Sequence, residues 1–315
     1  MDRFKKEAAV FAGALLCCFL WGSAFPCIKI GYRLWKISDG DTWRIIRFAG
    51  VRFVLAGLLV VAFASIARRK VLLPRRAEMP KIMWLSAFQT IGQYVLFYLG
   101  LAHTGGVNSA VVDSLTTFFA IIIAALFMHM ERLTARKILG CVLGFAGVVL
   151  INITPQGFTF SPLGDGLVAL SALCYGVSSN LIKRYSQAHD TVVFSGYQFI
   201  FGGVVMTLFG QVGLMCSGQS CAVNAENLPK AVAMLVYLAL VSSVAYTLWG
   251  LLLKGNDVSK ISVFGFMTPV AGVLLSAVLL GESSLLGVKH FAALVLIAAG
   301  ITVVNQNLRL KRQDY

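Results

Sequence analysis

Ten apolar runs divide almost the whole chain into segments long enough to cross a lipid bilayer. Most have the roughly 17–25 residues that an α-helix needs to span the hydrocarbon core. Charged residues make up 13% of the 315 residues, against about 25% in an ordinary soluble domain. The runs are about 8–32, 45–67, 81–103, 107–129, 136–152, 164–184, 191–215, 229–253, 258–280 and 286–306. The pattern predicts an all-α membrane protein with ten transmembrane helices, and it excludes a soluble globular protein, a disordered chain and a secreted disulfide scaffold.

The basic residues predict how the chain is oriented. If the N-terminus is inside, nineteen of the 27 Lys and Arg residues fall in inner segments and six in outer ones, which is the asymmetry of the positive-inside rule. We therefore expect both termini to be cytoplasmic. The net charge of +14 then belongs to short loops near anionic lipid, and we expect no nucleic-acid partner. The basic N-terminus, the first apolar run and the small residues Gly22 and Ala24 imitate a cleavable signal peptide. We expect this segment to remain, because it has a counterpart in the second half.

An internal repeat relates the two halves of the chain. Landmarks recur in the same order at offsets of 146–154 residues: Trp21 and Gly22 on Tyr175 and Gly176, Phe53 on Phe199, Gly57 on Gly203, Tyr94 on Tyr246, Thr116 on Thr268, Glu131 on Glu282, and Gly147 on Gly300. We interpret residues 1–155 and 156–315 as two five-helix repeats. An odd number of spans in each half inverts one half relative to the other. Inverted repeats are typical of secondary transporters, with the substrate site at the repeat interface near the bilayer midplane.

Short motifs at matching places in the two halves carry a family resemblance. They are Leu20-Trp21-Gly22-Ser23-Ala24-Phe25, Arg52-Phe53, the block from Ser109 through Glu131-Arg132-Leu133-Thr134 to Gly147, and the block from Ser262 through Pro269-Val270-Ala271 and Gly281-Glu282 to Gly300. In this order and spacing they resemble the EamA family of the drug/metabolite transporter superfamily over nearly the whole chain. The resemblance implies ten helices, cytoplasmic termini and export or exchange of small metabolites such as amino acids, without selecting one substrate. We expect an integral protein of a prokaryotic plasma (inner) membrane.

One acidic residue lies well inside a predicted span. Asp113 shares a helical face with Ser109 and Thr116, and a charge at mid-span costs about 2.5–3.5 kcal/mol on insertion scales. It is interpreted either as a cavity carboxylate that binds a cation or a proton, or as an interfacial residue that reaches water or Arg52. For Arg52, packing or loop capping near the outer face is favoured over substrate contact.

Aromatic and polar side chains on other spans predict the rest of a substrate site. Such walls suit a small amphiphile whose amine is held by a carboxylate and by aromatic rings. Packing or interfacial anchoring is the alternative for each aromatic residue. The predicted substrate-binding residues are Trp21, Gln89, Gln93, Tyr94, Tyr98, Asp113, Thr116, Tyr175, Ser178, Tyr246, Trp249 and Phe266.

Three smaller features predict structural contacts. Cys216 and Cys221 flank Ser217-Gly218-Gln219-Ser220 in the longest outer loop, so we expect a disulfide on the oxidising side of the membrane, with two free thiols as the alternative. Gly140 and Gly144 permit close helix packing, within the chain or at a dimer interface. Glu131, like Glu282, ends a span and is interpreted as a cap for the N-terminus of the helix that follows it.

The sequence shows no catalytic or metal-ligand spacing and no phosphate-binding glycine loop. We therefore expect no enzyme activity, no cofactor and no metal. The predicted function is a secondary transporter, an exporter or exchanger, of small metabolites such as amino acids or amine-containing compounds. The alternatives are a facilitative channel or uniporter and, less favoured, an intramembrane enzyme. The expected partners are a small-molecule substrate, the lipid bilayer and, as a candidate coupling ion, protons, for a monomer or a homodimer.

Overall fold

The computed structural model describes residues 2–38, 40–104, 106–153, 161–220, 222, 225–279 and 288–310. Within these ranges the chain is helical and contains no strand. We number ten helical segments along the chain: α1 (Asp2–Leu34), α2 (Thr42–Ala67), α3 (79–101), α4 (106–127), α5 (Ala135–Asn152), α6 (Pro162–Tyr185), α7 (Thr191–Cys216), α8 (Leu228–Gly255), α9 (258–279) and α10 (Val288–Leu310). In the described part of the chain, nine of them are long and apolar enough to cross a membrane. The other is α3, which carries Gln89 and Gln93 in its middle.

Three of these segments are interrupted helices. Their parts are Met79–Ser86, Ala87–Gly92 and Gln93–Leu101 in α3; Gly106–Asp113, Leu115–Ile122 and Ile123–Phe127 in α4; and Val258–Ser262, Val263–Phe266 and Met267–Leu279 in α9. In α9 the interruption precedes Pro269, which has no backbone N–H to continue the helical bonding. In α4 it falls at Ser114, whose hydroxyl donates to the Val111 carbonyl at 2.6 Å. The equivalent spans of the two halves are therefore both broken, although the first half has Thr117 and Phe118 in the region of the proline.

The helices pack in a pattern that repeats between the two halves. Helix α1 packs against α8 and α9, and its counterpart α6 packs against α3 and α4. The equivalent helices α2 and α7 pack on each other, as do α5 and α10. Each contact has a partner contact after the halves are exchanged, which confirms the fold as two inverted five-helix repeats.

Glycines bring α2 and α7 into close contact at equivalent places. A Cβ atom added to Gly50 would lie 2.8 Å from the carbonyl oxygen of Gly203, and one added to Gly57 would lie 2.5 Å from that of Gly196. Exchanging the halves turns the first contact into the second, because Gly57 corresponds to Gly203 at an offset of 146 residues. A larger residue at any of these positions would push the two helices apart.

Gly140 and Gly144 also pack within the chain, as one of the two interpretations predicted. A Cβ atom on Gly140 would lie 2.7 Å from the carbonyl oxygen of Gly300 on α10, and one on Gly144 would lie 2.3 Å from the ring of Phe266. Both glycines therefore serve the intramolecular contacts of α5.

Glu131 caps a helix of the opposite half. Its carboxylate accepts hydrogen bonds from the backbone N–H of Ser259, at 3.2 Å, and from the Ser259 hydroxyl, at 2.8 Å, at the start of α9. It also pairs with Lys137 on α5, at 3.2 Å. The N-cap of α5 itself is Thr134. The predicted capping role holds, but the capped helix is not the next one along the chain. Glu282 lies outside the described residues.

Large apolar side chains are exposed on the surface of the helix bundle, and several polar side chains are buried inside it. Phe63, Leu208 and Phe291 are 59%, 60% and 70% exposed, whereas Asn180 and Gln198 are fully buried. This distribution suits lipid outside the bundle and internal hydrogen bonding within it. The chain is an integral membrane protein.

Candidate substrate site

Six aromatic side chains from five helices form one contiguous group at the interface between the halves. We name it the aromatic cluster: Trp21 on α1, Phe53 on α2, Tyr94 on α3, Phe199 on α7, and Tyr246 and Trp249 on α8. Neighbouring ring centroids lie 4.5–5.3 Å apart, within the range of favourable aromatic contacts. The predicted residues Trp21, Tyr94, Tyr246 and Trp249 thus meet in one place.

Two pairs in the cluster join equivalent positions of the two halves. The hydroxyl oxygens of Tyr94 and Tyr246, 152 residues apart, are separated by 2.5 Å. The rings of Phe53 and Phe199 stack at a centroid distance of 5.3 Å, at the repeat offset of 146 residues. Because each pair is exchanged with itself when the halves are exchanged, the pseudo-twofold axis passes through the cluster.

The cluster contains hydrogen-bond donors without acceptors. The indole N–H groups of Trp21 and Trp249 are buried, and neither finds a partner among the residues that the structure describes. Their rings lie 4.9 Å apart. Buried polar groups are normally hydrogen-bonded, so these two donors are available to a bound molecule.

Asp113 lies at the last position of the first part of α4, immediately before the break at Ser114. Its side chain is partly exposed although it lies within a span. It interacts electrostatically with Tyr175 and Tyr246. Within the described ranges it forms no ion pair, with Arg52 or with any other residue. The carboxylate therefore interacts with one member of the aromatic cluster, Tyr246, and has no cation of its own in the described ranges.

Three other predicted residues, Gln93, Thr116 and Tyr175, are also partly exposed within their spans. The side-chain oxygen of Gln93 is buried and lacks a donor among the described residues. Tyr98 extends the aromatic group from Tyr94, at a centroid distance of 6.1 Å.

The remaining predicted residues are more enclosed. Gln89 is 3% exposed, in the π-helical part of α3. Ser178 is buried, and its hydroxyl donates to the carbonyl of Tyr175 in the same helix at 2.9 Å. Phe266 is not part of the aromatic cluster: it packs 6.1 Å from Phe118 and against the backbone of α5 at Gly144.

Arg52 packs beside the aromatic cluster, next to a candidate site for which the sequence analysis did not favour it. In the described ranges it forms no hydrogen bond to a loop. Its side chain is 4% exposed, and its guanidinium carbon lies 4.6 Å from the ring centroid of Phe53 and 5.9 Å from that of Tyr94. The internal repeat could have drawn attention to Arg52. At the offset of 146 residues that relates Phe53 to Phe199, the counterpart of Arg52 is Gln198. A polar side chain thus occupies this position of an apolar helix in both halves.

The sequence profile of the EamA-like transporter family matches residues 9–153 and, a second time, residues 162–306. The chain belongs to this family. Two curated relatives are similar along nearly their whole length. An "Uncharacterized transporter" of Archaeoglobus fulgidus is 25% identical over 90% of this chain and 94% of its own. The "Probable amino-acid metabolite efflux pump" of Salmonella typhimurium is 27% identical over 95% of each chain.

A solved crystal structure shares the fold of this EamA-like transporter. The two superimpose with a TM-score of 0.75 at 18% identity, over 96% of this chain and 98% of the other. In the part of this transporter that the structure describes, no group of three or more His, Cys, Asp or Glu side chains could hold a metal ion. Cys216 is exposed, but Cys221 lies outside the described residues, and their disulfide stays a prediction.

Proposed function

We propose that this EamA-like transporter is a secondary transporter that exports or exchanges small amine-containing metabolites, amino acids among them, by alternating access. The observation that carries the proposal is the Tyr94–Tyr246 contact, which joins equivalent residues of two inverted repeats. In such an architecture the substrate site lies at the repeat interface, and the two access states arise when the repeats exchange conformations. A hydrogen bond between symmetry-equivalent hydroxyls fits a central site that both states share.

The chemistry around the cluster supports an amine as the bound group. Asp113 has no cation beside it in the described ranges, and it interacts electrostatically with Tyr175 and Tyr246. An ammonium group would neutralise the carboxylate and could lie against the aromatic faces. Between turnovers a proton would neutralise the same carboxylate, so we propose protons as the coupling ion.

The direction and location follow from the basic loops and from the relatives. We infer that residues 1–155 and 156–315 are the two repeats, with both termini in the cytoplasm of a prokaryotic cell. The name of the Salmonella typhimurium relative, an amino-acid metabolite efflux pump, supports export across the inner membrane.

Flux into proteoliposomes tests this function. Radiolabelled amino acids and monoamines are presented to the full chain with and without unlabelled substrate inside, and with and without a pH gradient. We expect saturable uptake that internal substrate accelerates. Asp113→Asn should lose it, and the matched variant Asp165→Asn should keep it, because Asp165 is already bonded to Thr104 and to the Ser161 N–H. Flux that neither saturates nor responds to internal substrate would assign a channel instead.

A further inference from the structure

A buried positive charge in this transporter has no negative charge beside it among the residues that the structure describes. Arg52 is 96% enclosed by protein, yet no carboxylate in the described ranges lies within ion-pair distance of its guanidinium. Its Nε atom is buried and has no acceptor there. An unpaired charge inside a membrane protein is costly and usually marks a functional site.

The groups around Arg52 stabilise the cation without using its donors. The rings of Phe53 and Tyr94 lie beside the guanidinium. Tyr32, Tyr98 and Tyr246 are close enough to interact with it electrostatically. Tyrosine is neutral at pH 7, since its reference pKa is about 10. Ring contacts favour a cation but leave its N–H groups free to donate.

The equivalent residue of the other half shows that the fold does not require this charge. Gln198 occupies the position of Arg52 at the 146-residue offset. Its side-chain oxygen accepts a hydrogen bond from the Thr90 hydroxyl at 2.6 Å, whereas its side-chain nitrogen is buried and has no acceptor among the described residues. A neutral side chain of similar reach suffices for packing in that half, and the charge of Arg52 calls for another explanation.

We propose that Arg52 is the anion-binding group of the central site and holds the carboxylate of a zwitterionic substrate whose amine faces Asp113. The planar fork of arginine donates two parallel hydrogen bonds to a carboxylate. Tyr246 interacts electrostatically with both Arg52 and Asp113. The guanidinium of Arg52 lies 5.9 Å from the ring of Tyr94, whose hydroxyl contacts that of Tyr246. Arg52 and Asp113 form no ion pair with each other, so each charge remains available to an oppositely charged group of a ligand. This inference rests on the proposed function, because it uses the same central site.

The experiment compares ligands that differ only in their charged groups. Phenylalanine, 3-phenylpropionate and phenethylamine carry both groups, the carboxylate alone and the amine alone. Leucine, 4-methylpentanoate and isopentylamine form an aliphatic triple of the same kind. Apparent affinities come from the rise in melting temperature of the purified full chain with ligand concentration.

Arg52→Gln is the central variant, because Gln198 already occupies the equivalent position. Arg47→Gln is its matched control, since Arg47 lies on the same helix and donates to the Gln211 side chain at 2.8 Å. Arg52→Lys keeps the charge but loses the two-pronged geometry. It replaces Arg52→Gln in the comparison if the Gln variant does not purify as a single species.

Arg52→Gln should weaken the carboxylate and zwitterion ligands about 10- to 100-fold, the range for a lost charge-assisted hydrogen bond. It should leave amine binding unchanged or tighter, because a repelling cation is gone. Arg52→Lys should fall between the wild type and the Gln variant, and Arg47→Gln should match the wild type. Equal weakening of all three ligands of a triple, or no carboxylate ligand that stabilises the wild type, would overturn the assignment.

The same variants distinguish a failure of this inference from a failure of the proposed transport function. Suppose that the wild type binds no carboxylate ligand and that Arg52→Gln leaves saturable amine flux intact. This result would reject the anion site and support the transport function. If the protein binds carboxylate ligands through Arg52 but moves no substrate in proteoliposomes, the result would support the anion site and reject the transport function.

Discussion

Tyr94 and Tyr246 are equivalent residues of the two halves, and their hydroxyl oxygens lie 2.5 Å apart. The contact joins α3 to α8 on the pseudo-twofold axis, and the two tyrosine rings contact the stacked pair Phe53 and Phe199. A change that separates α3 from α8 here must break this hydrogen bond. The pair therefore couples the relative position of the halves to the site between them.

Removing one hydroxyl of this pair should disturb transport more than folding. Tyr94→Phe and Tyr246→Phe each lose one hydrogen bond, worth about 0.5–1.5 kcal/mol net. This shifts the balance between access states by roughly 2- to 10-fold. Initial flux rates in proteoliposomes, normalised to folded protein, measure the effect. Tyr197→Phe is the control, because it loses a bond of the same kind, to the Leu72 carbonyl at 2.9 Å, away from the cluster. If Tyr197→Phe changed the flux as much, the Tyr94–Tyr246 hydrogen bond would have no specific role in transport.

Asp113→Asn should fold and reach the membrane but lose amine-dependent or pH-dependent transport. The substitution keeps the side-chain shape and removes the charge, so packing is preserved while attraction for an ammonium group is lost. Flux measured across about pH 5.5–8, on both sides of neutral pH, tests whether transport depends on a titrating carboxylate. Wild-type behaviour of the variant over the whole range would reduce Asp113 to an interfacial residue.

Two substitutions of Trp249 distinguish a role in substrate binding from a role in packing. It is 2% exposed, so Trp249→Ala should cost about 3–5 kcal/mol through the cavity it leaves. Trp249→Phe retains most of the ring and removes a buried N–H that has no acceptor in the described ranges. We expect it to melt closer to the wild type than the Ala variant does and yet bind substrate more weakly. Trp84→Phe, at a 56% exposed site, is the control. Normal binding by Trp249→Phe would make Trp249 a packing residue.

Asp190 should stabilise the protein in a pH-dependent way outside the membrane. Burial raises the pKa of Asp190, but hydrogen bonds from Arg68 and from the Val192 N–H outweigh it, so the pKa lies below its usual range. The stabilisation should be complete above the unfolded-state pKa of about 3.9 and lost as pH falls through the lower folded-state pKa.

Two variants divide the contributions of Asp190. Asp190→Asn keeps the N-cap of α7 and loses the ion pair, an exposed one worth about 0–1 kcal/mol. Asp190→Ala also loses the cap, worth about 1 kcal/mol. Melting temperatures in detergent should fall in the order wild type, Asn, Ala at pH ~7, and the first two should converge below pH ~4. A constant gap between wild type and Asn at every pH would exclude the charged pair as its cause.

The orientation can be read from thiol labelling of intact cells. A cysteine introduced after Arg69 should be protected from an impermeant reagent, and one introduced near Gly157 should be labelled, because the basic loops are expected inside. Exposed Cys216 should react only after reduction if it is bonded to Cys221. The reverse labelling pattern would invert the topology, and labelling of Cys216 without reductant would exclude the disulfide.

The sequence alone determined the spans, their number and the equivalence of the two halves. Hydropathy along the chain reports membrane insertion directly, since an apolar run of sufficient length has few other stable environments. The repeat offset matched Tyr94 to Tyr246 and Gly147 to Gly300 without any coordinates. It also placed Trp21, Tyr94, Tyr246 and Trp249 in one predicted group, and the structure brings these four together.

Only the tertiary structure decided which faces of the helices meet. In lipid, both the packed and the exposed faces of a span are apolar, so hydropathy does not encode helix rotation or crossing. For that reason the sequence could not show that Phe266 packs against α4 and α5, and its role in substrate binding stays a prediction. Helix rotation likewise put Arg52 beside two aromatic rings with no described anion in reach. Only three-dimensional packing could show that Arg52 has no described carboxylate beside it, because whether a charge is paired depends on side chains far away in the sequence.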